Sequence, residues 1–113
     1  MKHLSFAFLF LVLSFSVLAQ GNWKIVQFDI KEEIAPSATR IVSKGLASAA
    51  ENNADLVIIH MNTFGGLLTD ADSIRTAIMN AKQPVYVFID KNAASAGALI
   101  SIACDKIFMA PGA

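Results

Sequence analysis

A chain of 113 residues holds one small domain. Nine basic side chains balance nine acidic ones, and no basic run or basic face interleaved with aromatics appears, which argues against a nucleic-acid partner. The single cysteine, Cys104, excludes an internal disulfide and reads as a small core residue; no Cys/His cluster suggests a metal, and no phosphate or dinucleotide fingerprint implies a cofactor.

Met1-Lys2-His3 is a short basic start, and Leu4 to Leu18 is apolar apart from its serines. Val17-Leu18-Ala19 then offers small and medium residues where a signal peptidase reads. Residues 1–19 therefore read as a secretory signal peptide, cut after Ala19 to leave Gln20 first. The rival, an uncleaved anchor, needs roughly twenty apolar residues, more than this run supplies. No cysteine stands just after the run, so lipoprotein attachment is not expected. The remaining domain, 20–113, is expected outside the cytoplasm.

Lys24 to Ile30 alternates in polarity and predicts a strand with one face more buried than the other. Pro36-Ser37 opens a helix, with proline tolerated in its first turn. Ala38, Ile41, Val42, Gly45, Leu46 and Ala49 form its core stripe, and Glu51-Asn52-Asn53-Ala54 ends it. Asp55 to Met61 is an apolar, buried-strand pattern that runs into Asn62-Thr63-Phe64-Gly65-Gly66. Thr69 or Asp70 can cap a second helix reaching about Ala81, with Ile74, Ala77 and Ile78 inward. Pro84 to Asp90 is a third buried strand. Lys91 to Ala94 follows as a turn, and an apolar helix begins near Ser95 and runs to Cys104, buried on most sides. Ile107 to Ala110 is a short fourth strand, and Pro111-Gly112-Ala113 is a turn. Strand and helix alternate throughout, which predicts right-handed crossovers and a mostly parallel α/β sheet.

Two bends carry the chemistry. Ser95 sits where a strand gives way to a helix among Ala93, Ala94, Ala96 and Gly97, a loose cousin of the nucleophile elbow with alanines where glycines are usual. The bland reading of this segment is a serine N-cap on a core helix. Gly65-Gly66 ends the preceding strand, where glycines allow backbone conformations closed to other residues and can leave a main-chain N–H facing open space. Parallel strands bring both bends to the carboxyl edge of the sheet, where ligands gather. Ser95 and Gly65 can then face one site as nucleophile and oxyanion donor.

With both bends placed, residues from about Trp23 to Ala113 resemble the Clp-protease/crotonase superfamily, and within it the membrane-bound serine proteases of the NfeD type, related to signal peptide peptidase A. The matching residues are Met61 to Gly66, Ala93 to Gly97, and Met109 to Gly112. The resemblance implies repeated β-α units, incomplete at the C-terminus. It implies Ser95 as nucleophile, an oxyanion hole from the N–H of Gly65 or Gly66 with that of Ala96, and Phe64, Ala94 and Gly97 beside the substrate. It implies a lysine base, which in NfeD-type enzymes lies farther along than Ala113, so the chain is expected to be a truncated product. Asn62 and Phe64 stand where the family commonly has aspartate and proline, and Phe64 leaves that turn less rigid. The implied reaction is amide hydrolysis in apolar segments of membrane proteins, stomatin- or prohibitin-like by resemblance, without a cofactor. A homo-oligomer is expected, since so short a chain leaves apolar surface uncovered.

Within the chain itself, His60 is the only histidine outside the leader and reads as a strand residue packed on one sheet face. Lys91 and Lys106 read as solvated, whereas a neutral lysine base must be desolvated. The missing base motivates a second reading, a catalytically incomplete binding or scaffold protein. A third, an acyl-CoA enzyme of crotonase type, conflicts with the secretory leader.

Overall fold

Every strand expected from the sequence forms, and each of the first three is followed by its helix. The computed structural model describes residues 21–113; the expected signal peptide and its cleavage site lie outside the described residues. The order is β1 (Ile25–Ile30), α1 (Pro36–Glu51), β2 (Leu56–Thr63), α2 (Leu68–Met79), β3 (Val85–Ala93), α3 (Ala96–Ile102) and β4 (Lys106–Met109). The strands lie side by side in sequence order, all parallel. Right-handed crossovers that step one strand at a time place α1, α2 and α3 on the same face of the sheet.

That face is the core. Val57, Ile59 and Met61 of β2 and Val85, Val87 and Ile89 of β3 point into it and are buried, together with Val42 of α1, Ile74 of α2 and Ile100 of α3. Each such side chain contributes about 1.5–3 kcal/mol relative to exposure. Helix α1 approaches β1 closely at Gly45, where an added Cβ would fall 2.2 Å from the Phe28 ring. The stripe expected on α1 is narrower than its spacing suggests: Ala38, Val42 and Ala49 are buried, whereas Ile41 is exposed.

The opposite face of the sheet is uncovered among the described residues. Ile25, Phe88 and Phe108 are exposed there, and the rings of Tyr86 and Phe108 lie 5.8 Å apart, with Lys106 Nζ 5.3 Å above Tyr86. His60 shares this face. Its ring lies 5.6 Å from that of Phe88, with Nδ1 3.4 Å from Asp29 of β1 and Nε2 3.3 Å from Asp90 of β3. The second contact is close but poorly aligned, and Nε2 makes no hydrogen bond.

An aspartate just ahead of a strand pins the neighbouring strand twice over. Asp55, before β2, accepts the Lys24 N–H on its carboxylate at 2.8 Å and donates its own N–H to the Lys24 carbonyl at 2.8 Å. Asp105, before β4, does the same to Val85, at 2.7 and 2.8 Å. Register is thereby set at the strand starts, and the carboxyl ends inherit it.

Three expectations are corrected. Helix α2 has no side-chain cap: it starts after Leu67, and Asp70 instead accepts the Thr39 hydroxyl of α1 at 2.7 Å. Helix α3 is shorter than Ser95 to Cys104; Ala96, Gly97, Ile100 and Ser101 are buried as expected, whereas Ala98 and Ile102 are exposed, Ile102 at 75%. Strand β3 continues through Lys91 and Asn92 to Ala93 instead of turning at Asp90. Cys104 follows α3; burial, and then the neighbouring Asp105 carboxylate, push its thiol up to about 12, which favours the thiol over the thiolate.

Candidate active site

Both bends are built by the strands they terminate. Between β2 and β3 the register runs Val57 with Val85 to Met61 with Ile89, then jumps to Thr63 with Ala93. Over that jump β2 advances two residues and β3 advances four, so the extra chain bulges out of β3 just before Ser95. Asn92 Nδ2 donates to Asn62 Oδ1 across the irregularity at 3.2 Å.

Ser95 follows the bulge and precedes α3. Its backbone sits at φ +51° and ψ −115°, outside the regions an L-residue ordinarily occupies. Holding a side chain there costs on the order of 1–3 kcal/mol. Its hydroxyl makes no capping hydrogen bond to the helix. The N-cap reading therefore fails: a capping serine has extended backbone and spends its oxygen on the first turn, and this one does neither. The bend is held from behind by Gly97 N–H donating to Ala94 O at 2.8 Å and Ala98 N–H donating to Ser95 O at 3.0 Å. Among the described residues the Ala96 N–H has no backbone acceptor.

The glycine bend lies directly against the serine. A Cβ built on Gly65 would stand 2.9 Å from the Ser95 Cβ and 3.3 Å from the Ala96 nitrogen. Gly65 has φ +114° and Gly66 φ +156°, so each needs glycine's freedom. Ile34, in the β1–α1 connection, clamps the bend by donating its N–H to Gly65 O at 2.9 Å and accepting the Leu67 N–H at 2.7 Å. These bonds use the residues flanking Gly66, so the Gly66 N–H is directed away from Ile34. The Gly65 N–H is engaged: it donates to Thr63 Oγ1 at 3.1 Å.

Open clefts adjoin the two bends. One, of about 450 Å³, runs past Glu32, Asn62, Phe64 and Gly66; the other, of about 390 Å³, runs past Asn92, Ala94, Ala98, Ile102 and Met109. Phe64 stands at the lip of the first, 80% exposed, and Ala94 lines the second. Gly97 is buried in the first turn of α3, its Cα facing the Thr63 methyl: a Cβ there would be 2.7 Å from Thr63 Cγ2. Of the residues singled out from the sequence, Ser95, Gly65 and Ala96 thus come together. Gly66 lies next to Gly65, Phe64 and Ala94 are at the rims, and Gly97 lies beneath. His60 is held on the open sheet face, Lys91 is exposed, and Lys106 covers Tyr86. Thr63, two residues ahead of Gly65, received no role from the sequence. The signal was a hydroxyl residue poised to bond the backbone two positions on.

The family model for the NfeD1b N-terminal domain matches residues 24–113. The chain is 34% identical over 83 residues to membrane protein NfeD1b of Bacillus subtilis (strain 168), a match covering 74% of this chain and 19% of that protein. Among solved structures it is similar to the 1510-N membrane protease specific for a stomatin homolog from Pyrococcus horikoshii, at 28% identity and TM-score 0.74, over 81% of this chain and 48% of that one. It is also similar to a ClpP1 variant from Listeria monocytogenes, at 30% identity and TM-score 0.65, over 70% of this chain and 46% of that one. The chain thus spans under half the length of each of these proteins. The parallel β-α units share the fold of this membrane protease and of ClpP1. Among the described residues no helix is long and apolar enough to cross a membrane.

Proposed function

Because the chain belongs to the NfeD1b N-terminal domain family, we propose that it forms the nucleophile-bearing part of an exported serine peptidase of the Ser-Lys type. The observation that carries this reading is the Ser95 backbone at φ +51°, its hydroxyl uncommitted to a cap and its Cβ in contact range of Gly65. Strain of this kind at a strand-to-helix bend persists where the surroundings enforce it, and here it presents a side chain that a relaxed helix start would fold away.

In the proposed reaction Ser95 Oγ attacks a peptide carbonyl while a base takes its proton. The Gly66 and Ala96 N–H groups donate to the oxygen that becomes negative, and the amine leaves with a proton to give the acyl-enzyme, which water hydrolyses. Gly66 is favoured over Gly65 as donor because the Gly65 N–H already serves Thr63. Gly65 instead supplies the close approach that lets the two bends touch. Phe64 and Ala94 meet the substrate on either side, and Gly97 keeps α3 close beneath. The base is a lysine outside the described residues, since His60 lies on the open sheet face, Lys91 is exposed and Lys106 covers Tyr86.

The substrate class proposed is an extended apolar segment of a membrane protein. The exposed Phe64 and Ile102 that line the clefts support it, as does the similarity to a protease specific for a stomatin homolog. Stomatin- or prohibitin-like proteins are the proposed partners. Export by residues 1–19 would place the domain at the extracytoplasmic side of a membrane, in keeping with a relative named a membrane protein. The same exposed apolar side chains support a homo-oligomer. The placement of His60, Lys91 and Lys106 also favours the second reading, a ClpP-fold scaffold without turnover in membrane-protein quality control.

A fluorophosphonate probe separates the two. The full-length gene product should be labelled on the peptide carrying Ser95, and Ser95→Ala should lose the label by a factor of at least about 10³. Equal labelling of both proteins, or none of the wild type, would leave the scaffold.

A further inference from the structure

From the contacts that converge on it, we infer that Thr63 is the positioning residue that couples the glycine bend to the serine bend; this rests on the peptidase reading above. Thr63 is 2% exposed and is the last residue of β2. Its hydroxyl, carbonyl and methyl each reach a different segment. The hydroxyl donates to Glu32 O, in the β1–α1 connection, at 2.7 Å, and accepts the Gly65 N–H at 3.1 Å. The carbonyl accepts the N–H of Ala94, the residue before Ser95, at 3.1 Å. The methyl faces Gly97 so closely that a Cβ there would lie 2.7 Å away.

One side chain therefore fixes the orientation of the Phe64–Gly66 bend through the Gly65 amide, while its own backbone anchors the strand that delivers the nucleophile. The consequence is specific. With the Gly65 N–H turned inward to the threonine hydroxyl, the next peptide is the one left to face a substrate, and its Gly66 N–H becomes the donor. Without the hydroxyl the Gly65 peptide is free to rotate, and the two amides compete for one position. Catalytic groups tolerate little such freedom, since a displacement of about 1 Å can cost on the order of 10²-fold in rate. Thr63 touches no substrate atom in this account and acts through Gly66.

The test uses the full-length gene product and the rate of Ser95 labelling by a fluorophosphonate. Thr63→Val keeps the shape, removes the hydroxyl, and should slow labelling by about 10–100-fold. Thr63→Ser keeps the hydroxyl and should label within about threefold of wild type, a rescue that a purely space-filling role would not give. Amide exchange at Gly65 should quicken in Thr63→Val and stay slow in Thr63→Ser. A folded Thr63→Val that labels at the wild-type rate, or a Thr63→Ser as slow as the valine variant, would overturn the inference. If Thr63→Val does not fold, Thr63→Ser decides alone, and labelling slowed by more than about tenfold from wild type would overturn the inference. A wild-type protein that is never labelled fails at Ser95 itself and overturns the peptidase reading, whatever residue 63 is.

Discussion

Gly66→Ala is expected to cost the domain on the order of 3–5 kcal/mol, measured by urea unfolding. The added Cβ would lie 2.2 Å from the carbonyl oxygen of Ile34, 2.6 Å from its nitrogen and 2.9 Å from its carbonyl carbon. All three are backbone atoms held by the Gly65 and Leu67 hydrogen bonds, so no flexible side chain can move aside. Strain at φ +156° adds to the clash. Gly112→Ala is the control: it has φ +80° but open space around the new methyl, and should cost only about 1 kcal/mol. Equal small losses at both positions would mean that Ile34 does not clamp the bend.

Ser95 offers the second large effect, in which stability and chemistry move in opposite directions. Ser95→Gly should unfold at higher urea than Ser95→Ala, by about 1–2 kcal/mol, because glycine adopts φ +51° and ψ −115° without the steric cost that any Cβ incurs. Both variants lose the hydroxyl and should lose labelling completely. A glycine variant no more stable than the alanine variant would show that the bend is not strained. The pair thus measures what the fold gives up to hold a side chain at that bend.

Much of this was legible in the sequence, for local reasons. Alternation and apolar runs placed all the strands, proline at the first helical position placed α1, and unbroken strand-helix alternation gave a parallel sheet. The pairing of a small-residue serine bend with a glycine bend pointed to the candidate site, since parallel strands force both to one edge. The rest depended on distant contacts. Asp90-Lys91-Asn92 reads as a polar stop, but the segment stays in β3 because it bulges while Thr63 pairs with Ala93. Asp70 reads as a helix cap, but its partner is Thr39, 31 residues earlier in the chain. Helix α3 reads as running on to Cys104 because its composition is apolar, yet it ends at Ile102, which stands exposed. Thr63 is an ordinary strand residue by sequence, and its importance comes from what Glu32, Ala94 and Gly97 bring to it.

In the proposed reaction one hydroxyl and two backbone amides, carried by bends far apart in sequence, meet at a single carbonyl oxygen. The most direct measurement is a crystal structure of the full-length gene product with a phosphonate bonded to Ser95 Oγ. The phosphoryl oxygen should lie within about 2.7–3.1 Å of both the Gly66 and the Ala96 nitrogen. An adduct whose oxygen points to solvent, or reaches neither amide, would contradict the account.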